Sequence, residues 1–168
     1  WELLEANSRL LQSIDRNIEG TVEAGATLTG PVVVEDGARV RDGAYIEGPV
    51  VNKKGAHVGP NAYVRGATVI GPNVRVGNAV EVKNSILMAD TAVSHHAYVG
   101  DSVLGADVNF GAGTKVANLR HDDQTVRVQV KGELVDTGRR KFGVVIGDGT
   151  KTGINTSLNA GVTLGTET

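Results

Sequence analysis

The chain has no cysteine among its 168 residues. Disulfides, thiolate zinc sites and cysteine nucleophiles are therefore excluded, and a reducing, cytoplasmic location is the expectation. Aromatics are scarce: two Phe, one Trp and three Tyr. A globular core normally takes much of its volume from such rings, so this one must be filled by Val, Ile, Leu and Ala. No apolar run approaches the length of about 18 residues that a membrane helix needs, and no membrane partner is expected. Neither sign of charge dominates. Seventeen Lys and Arg face nineteen Asp and Glu, for a net charge of −2, and the cations are spread along the chain. That argues against nucleic acid as a bulk electrostatic partner. Glycine alone is plentiful, at 23 residues, so the chain must turn often.

The turns are periodic. Every sixth residue from Val22 reads Val22, Leu28, Val34, Val40, Ile46, Asn52, Val58, Val64, Ile70, Val76 and Val82, and ten of these eleven are aliphatic. Two places before each, from Ala26 to Val80, stands a small or β-branched residue. Three places before each, eight positions of ten are Gly, Pro or Asn, which suit turns and left-handed backbone. Each unit of six is thus a short strand plus a corner, with one aliphatic side chain inward and a small one beside it. Three units close a triangular coil. Coils stack at the roughly 4.8 Å spacing of a sheet. Helical and alternating patterns do not generate this period. The fold class is all-β, a parallel β-helix of hexapeptide repeats. At Asn52, the one polar inward position, a polar ladder or a surface-turned corner is expected.

The rhythm slips twice. Val82 to Leu87 and Val99 to Leu104 are steps of five, while Leu87, Val93 and Val99 keep the six-step. A shortened side moves a corner and makes a notch, and SHHAYVGD lies between the two slips. The segment 119–142 leaves the repeat and contains VRVQVKGELV, which predicts a protruding hairpin with a Lys-Gly turn. Ile146 lies thirty residues after Val116, five units of six, so the coil is expected to resume in register with Thr152, Leu158 and Leu164. At the other end, Leu3, Leu4, Leu10, Leu11 and Ile14 fall at helical spacing, predicting a short helix on or near the first coil. The chain thus divides into residues 1–15, a helical linker, and 16–168, the β-helix with loop 119–142 inserted.

Several side chains are candidates for chemistry. Arg65 precedes Lys83 by one coil of eighteen residues, so the two cations stack on one face. Stacked cations repel unless an anion sits between them or water screens them, and a phosphate fits. His95 and His96 are adjacent and point to opposite sides of a strand, so only one faces a given cleft. A histidine in a notch beside two cations suits a general base. The four histidines, His57, His95, His96 and His121, lack the close spacing of a zinc site, and no metal is expected. GAGTK and GDGTKTG fit neither the Walker spacing nor a helix start, and read as corner glycines. Arg139, Arg140 and Lys141 form a basic cluster closing the loop.

Taken together, VGNAVEVKNS, SHHAYVGD, VNFGAGTKVAN and KFGVVIGD resemble the C-terminal acetyltransferase half of the bifunctional sugar-1-phosphate nucleotidylyltransferase/N-acetyltransferase family, in its archaeal-type branch. The resemblance covers roughly residues 62–164. It implies a left-handed coil, where the general crossover rule gives the opposite hand. It implies that residues 1–15, which open with WELLEAN, link to a missing N-terminal nucleotidylyltransferase domain, and that the chain stops short of a capping coil. It implies acetyl-CoA as co-substrate, an amino-sugar phosphate as acceptor, and a homotrimer with sites between subunits. By the same resemblance, Arg65, Lys83 and Tyr98 would hold the sugar phosphate, His95 would be the base and Glu81 would orient it. Asn109 and Asn118 would bind the sugar, and the Ala112 amide would serve the oxyanion and the cofactor. Lys141 would reach in from a neighbouring subunit. Thr156 would be a cofactor contact near Ile154, which stands where the family often has serine. The alternative is a β-helix trimerisation or regulatory module without acyl transfer of its own.

Overall fold

A computed structural model describes all residues from Trp1 to Thr168. The chain winds into a left-handed parallel β-helix with three faces, one eight-stranded, one six-stranded and one seven-stranded. The predicted inward column is real. Val34, Val40, Ile46, Val58, Val64, Ile70, Val76 and Val82 are fully buried in a single core that runs the length of the prism. Early coils repeat at eighteen residues, pairing Val32 with Val50 and Val50 with Thr68. Both slips occur where the spacing placed them, so Ile70 pairs with Leu87 and Leu87 with Leu104.

The short corners are held by hydroxyls. Thr68, Ser85 and Ser102 are fully buried and stack at the corner between the seven- and eight-stranded faces. The Ser85 amide donates to Thr68 Oγ1 (3.3 Å), the Ser102 amide to Ser85 Oγ (3.1 Å) and the Val144 amide to Ser102 Oγ (3.0 Å). Each hydroxyl donates in turn to a carbonyl just upstream: Arg65, Lys83 and Gly100. Side-chain oxygens thus accept from amides that the shortened backbone leaves without a carbonyl.

The loop is inserted in register, as spaced. Val103 pairs with Val145 and Leu104 with Ile146, while Val116 pairs with Leu158. Its hairpin joins Arg127–Val130 to Glu133–Asp136. The tip protrudes, yet the base does not: Val126, Val128 and Phe142 are buried against Leu4 and Val103.

The N-terminal helix, Glu2–Leu11, corrects two expectations. It buries Leu4, Asn7 and Leu11, while Leu3 and Leu10 are 49% and 71% exposed. It also lies far beyond the first coil, along the eight-stranded face from Val103 and Phe142 down to Val51 and Ala67. The reason is a second apolar column on that face. Val33, Val51, Val69, Ile86, Val103 and Val145 stack in register and point outward, and the helix covers them. Asn7 Nδ2 donates to the Ala67 carbonyl at 2.9 Å, which fixes the helix along the prism. No helix is long and apolar enough to cross a membrane.

Asn52 departs from both expectations. It is inward and buried, between Val34 and Ile70, so it is neither surface-turned nor part of a polar ladder. Its Nδ2 donates to the Val33 carbonyl at 3.1 Å, but its Oδ1 has no partner. An orphaned buried acceptor costs about 1–3 kcal/mol. Asn52→Val is therefore expected to stabilise the protein by about 1 kcal/mol, read as a rise of about 2–4 °C in thermal midpoint. A lower midpoint would show that the Val33 bond outweighs the orphaned oxygen.

Candidate functional site

The seven-stranded face carries two polar columns. In one, Glu47, Arg65, Lys83 and Gly100 are in register; in the other stand Tyr45, Tyr63, Glu81, Tyr98 and Lys115. Arg65 and Lys83 do stack, but neither waits for an outside anion. Arg65 is bound by Glu81, with Nη2 and Nε at 2.7 and 3.2 Å from Oε1. Its guanidinium lies 5.3 Å from the centre of the Tyr63 ring, and Tyr63 donates to Glu47. Lys83 is bound by Asp101, at 2.9 and 3.1 Å, and the Asp101 side chain is only 2% exposed. The carboxylates supply the compensation that the spacing alone assigned to phosphate.

The notch belongs to this corner and not to His95. Asp101 sits at the second short corner with positive φ (51°) and accepts from Asn84 Nδ2 at 2.8 Å and Asn118 Nδ2 at 2.5 Å. Asn118 Nδ2 also donates to Tyr98 Oη at 3.1 Å. Gly100 makes the arrangement possible, since a Cβ there would lie 2.5 Å from the Tyr98 hydroxyl and 2.7 Å from Asn118 Nδ2. Burial, then the negative charges of Glu81 and Asp101, raise the Tyr98 phenol above its ordinary value, so it stays protonated and can donate.

The two histidines part at the opposite corner. His95 is exposed on the six-stranded face, in a groove of about 530 Å³ with Arg41, His57, Arg75, Asn78 and Ser94. His96 (φ 48°) lines a groove of about 480 Å³ on the seven-stranded face with Tyr63, Glu81, Tyr98 and Lys115. The expectation that Glu81 orients His95 within one chain fails, because Glu81 binds Arg65 and shares its groove with His96. Asn109 also lies on the six-stranded face, near Arg75 and Lys151. The structure thus gathers Arg65, Glu81, Lys83, Tyr98 and Asn118 on one face and leaves His95 and Asn109 on another.

Ala112 is half-buried in a turn below these faces. Its amide donates to no atom of the chain, while its carbonyl accepts from the Asn155 amide at 2.7 Å. Thr156 Oγ1 donates to the Gly153 carbonyl at 2.8 Å. Lys141 is exposed at the loop root, bridged by backbone to Leu119, and has no ionic partner. Arg140 is paired with Asp123 at 2.6 Å. Sequence reasoning missed Asp101 and Asn84. A signal existed: the same eighteen-residue step that links Arg65 to Lys83 leads from Lys83 to Asp101.

Stacked hexapeptide coils, an in-register loop and a polar corner at its root define a protein of the hexapeptide-repeat β-helix class. The GMPPB C-terminal domain model matches residues 46–168. That span is most of the chain, and the chain belongs to this family. The bifunctional protein GlmU of Methanocaldococcus jannaschii is 48% identical over 165 residues, covering 98% of this chain and 40% of that protein. A bifunctional sugar-1-phosphate nucleotidylyltransferase/acetyltransferase of Sulfurisphaera tokodaii is 43% identical over 167 residues, covering 98% and 41%. The chain spans about two fifths of the length of these relatives. Among solved structures, a Bacillus cereus protein assigned as an acetyltransferase, the product of gene BC4754, superposes with a TM-score of 0.61. It is 17% identical, with 89% of this chain and 76% of that one covered, and it shares the fold.

Proposed function

We propose that this domain is an acetyl-CoA-dependent N-acetyltransferase acting on glucosamine-1-phosphate or another amino-sugar-1-phosphate. One observation carries the reading: the corner where Lys83, Tyr98 and Asn118 converge beside Arg65. It offers cationic, donor and acceptor groups together, as a phosphorylated sugar requires. The naming of the archaeal relatives supports it.

The partition of residues between faces suits a homotrimer. The six-stranded face of one copy, carrying His95 and Asn109, meets the seven-stranded face of the next. The six-stranded face carries Arg39, Arg41, His57 and Arg75, with Arg39 paired to Glu23, and the opposing one carries Glu47 and Glu81 together with Arg65, Lys83 and Lys115. Such head-to-tail contacts close into rings. The phosphate is held by the remaining N–H groups of Arg65 and Lys83 and by Lys141 of a neighbouring subunit. The amine must be unprotonated to attack the thioester carbonyl, and His95 takes its proton. The unpartnered Ala112 amide suits the developing oxyanion. Thr156 lies on the coil below as a coenzyme contact.

The second reading, a trimerisation or regulatory module, is favoured by the neutralised cations and by the absence of His95 from the substrate corner. A thiol-release assay with acetyl-CoA and each amino-sugar phosphate separates the two. Turnover with one of them is expected; none with any would favour the module. Co-expression of His95→Ala with Lys83→Ala is expected to restore activity that each variant lacks, with about a quarter of sites intact on random mixing. No recovery would place the whole site in one chain.

A further inference from the structure

We propose that Asp101 is a positioning residue that sets the hydrogen-bonding polarity of the substrate corner, turning Asn118 Oδ1 outward as acceptor and the Tyr98 hydroxyl outward as donor. This rests on the reading of that corner as an amino-sugar site and names what it selects: a group that both gives and takes a hydrogen bond, the amine or its neighbouring hydroxyl.

The argument is a count of donors. Asn118 has two amide protons, and both are committed, one to Asp101 Oδ2 at 2.5 Å and one to Tyr98 Oη at 3.1 Å. Its Oδ1 accepts nothing from the chain, and it is not buried, since the one buried side-chain atom lacking a partner is Asn52 Oδ1. Tyr98 Oη accepts from Asn118 and donates to no atom of the chain, so its proton is left for a ligand. The pattern hangs on Asp101. An ionised carboxylate only accepts, so Asn118 cannot turn its oxygen toward it without setting lone pair against negative charge. Asn84 holds the other oxygen, Oδ1, at 2.8 Å and Lys83 spans both, at 2.9 and 3.1 Å, so the carboxylate cannot rotate away. Its backbone ties the same corner together: the Asp101 amide donates to the Lys83 carbonyl and its carbonyl accepts from Gly143, both at 2.8 Å.

Asp101→Asn tests this on the full chain. The new amide keeps the shape, and its oxygen, at the Oδ1 position, still serves Asn84 and Lys83 at 2.8 and 3.1 Å, while the Lys83 contact to Oδ2 is lost. Its NH₂ then faces Asn118 and forces that side chain to flip, which presents NH₂ where Oδ1 had been. The KM for the amino-sugar phosphate is expected to rise by about tenfold or more with kcat little changed, while loss of the Lys83 ion pair lowers the thermal midpoint. Adding Asn118→Asp restores a carboxylate oxygen on the outward side, and the double variant is expected to recover much of the lost KM. The side-chain amide resonances of Asn118 give a readout that does not need turnover. In the native protein both protons are expected to be shifted and protected from exchange, and in Asp101→Asn that protection is lost. Unchanged Asn118 resonances in the single variant would overturn the proposal. So would kcat falling as far as KM rises, with no rescue in the double variant. If the native chain turns over no amino-sugar phosphate, the acyltransferase reading fails, and the resonances still decide the role of Asp101.

Discussion

His95→Ala is expected to lower the kcat of acetyl transfer by about 10²–10⁴-fold, the contribution of a well-placed base, without loss of stability. The side chain is exposed and makes no hydrogen bond within the chain, so no packing is forfeited. The informative comparator is His96→Ala. His96 shares its groove with Glu81 and Tyr98 inside a single chain, whereas His95 lines a groove on another face and would meet those residues only in the proposed trimer. Turnover that survives in His95→Ala but collapses in His96→Ala would move the base to the groove of one chain. It would also remove the reason to share sites between copies. Thiol release under saturating substrates, with melting curves of both variants, is sufficient to decide.

Phe142→Ala is expected to cost about 3–5 kcal/mol, seen as a fall of roughly 10 °C in thermal midpoint. The ring is fully buried with Leu4, Val103, Val126 and Val128, and its amide donates to the Asn118 carbonyl at 3.0 Å. Three parts of the molecule meet there: the N-terminal helix, the base of the hairpin and the outward column of the eight-stranded face. A cavity at that point loosens helix and loop before it loosens the coils, because each coil depends chiefly on its neighbours. Hydrogen exchange should therefore quicken first at Val126 and Val128, with Val58 and Val76 still protected. A loss below about 1 kcal/mol, or uniform exchange along the prism, would mean that the helix and loop are not joined through this ring.

Coil phase was readable because each unit places one aliphatic residue inward, and even the two five-residue steps were visible as spacing. The helix path was not. It depends on the residue just before each inward position, and only on one face do Val33, Val51, Val69, Ile86 and Val103 make a continuous apolar strip. That doubling was present in VVV, VVN, TVI, IL and VL, but a search for one column per face passes over it. The candidate site was legible as residue types and offsets. Offsets fail where a corner intervenes. His95 and Tyr98 are three residues apart yet lie on different faces, because His96 and Ala97 turn the chain between them. Pairing preferences fail too, since nothing in the chain order says that Glu81 chooses Arg65 or that Asp101 takes Lys83.

The hydroxyl ladder through Thr68, Ser85 and Ser102 ends on the Val144 amide, just where the loop rejoins the coil. Asp101 holds both feet of that loop, Asn118 through its carboxylate and Gly143 through its carbonyl. Coil phase at this corner is consequently fixed by atoms of the coils themselves, whatever the hairpin tip contains. Beyond the buried base of Val126, Val128 and Phe142, the tip from Gln129 to Leu134 is an exchangeable appendage. Its length and sequence can drift, or be replaced by design, and the winding beyond it would still come back in step.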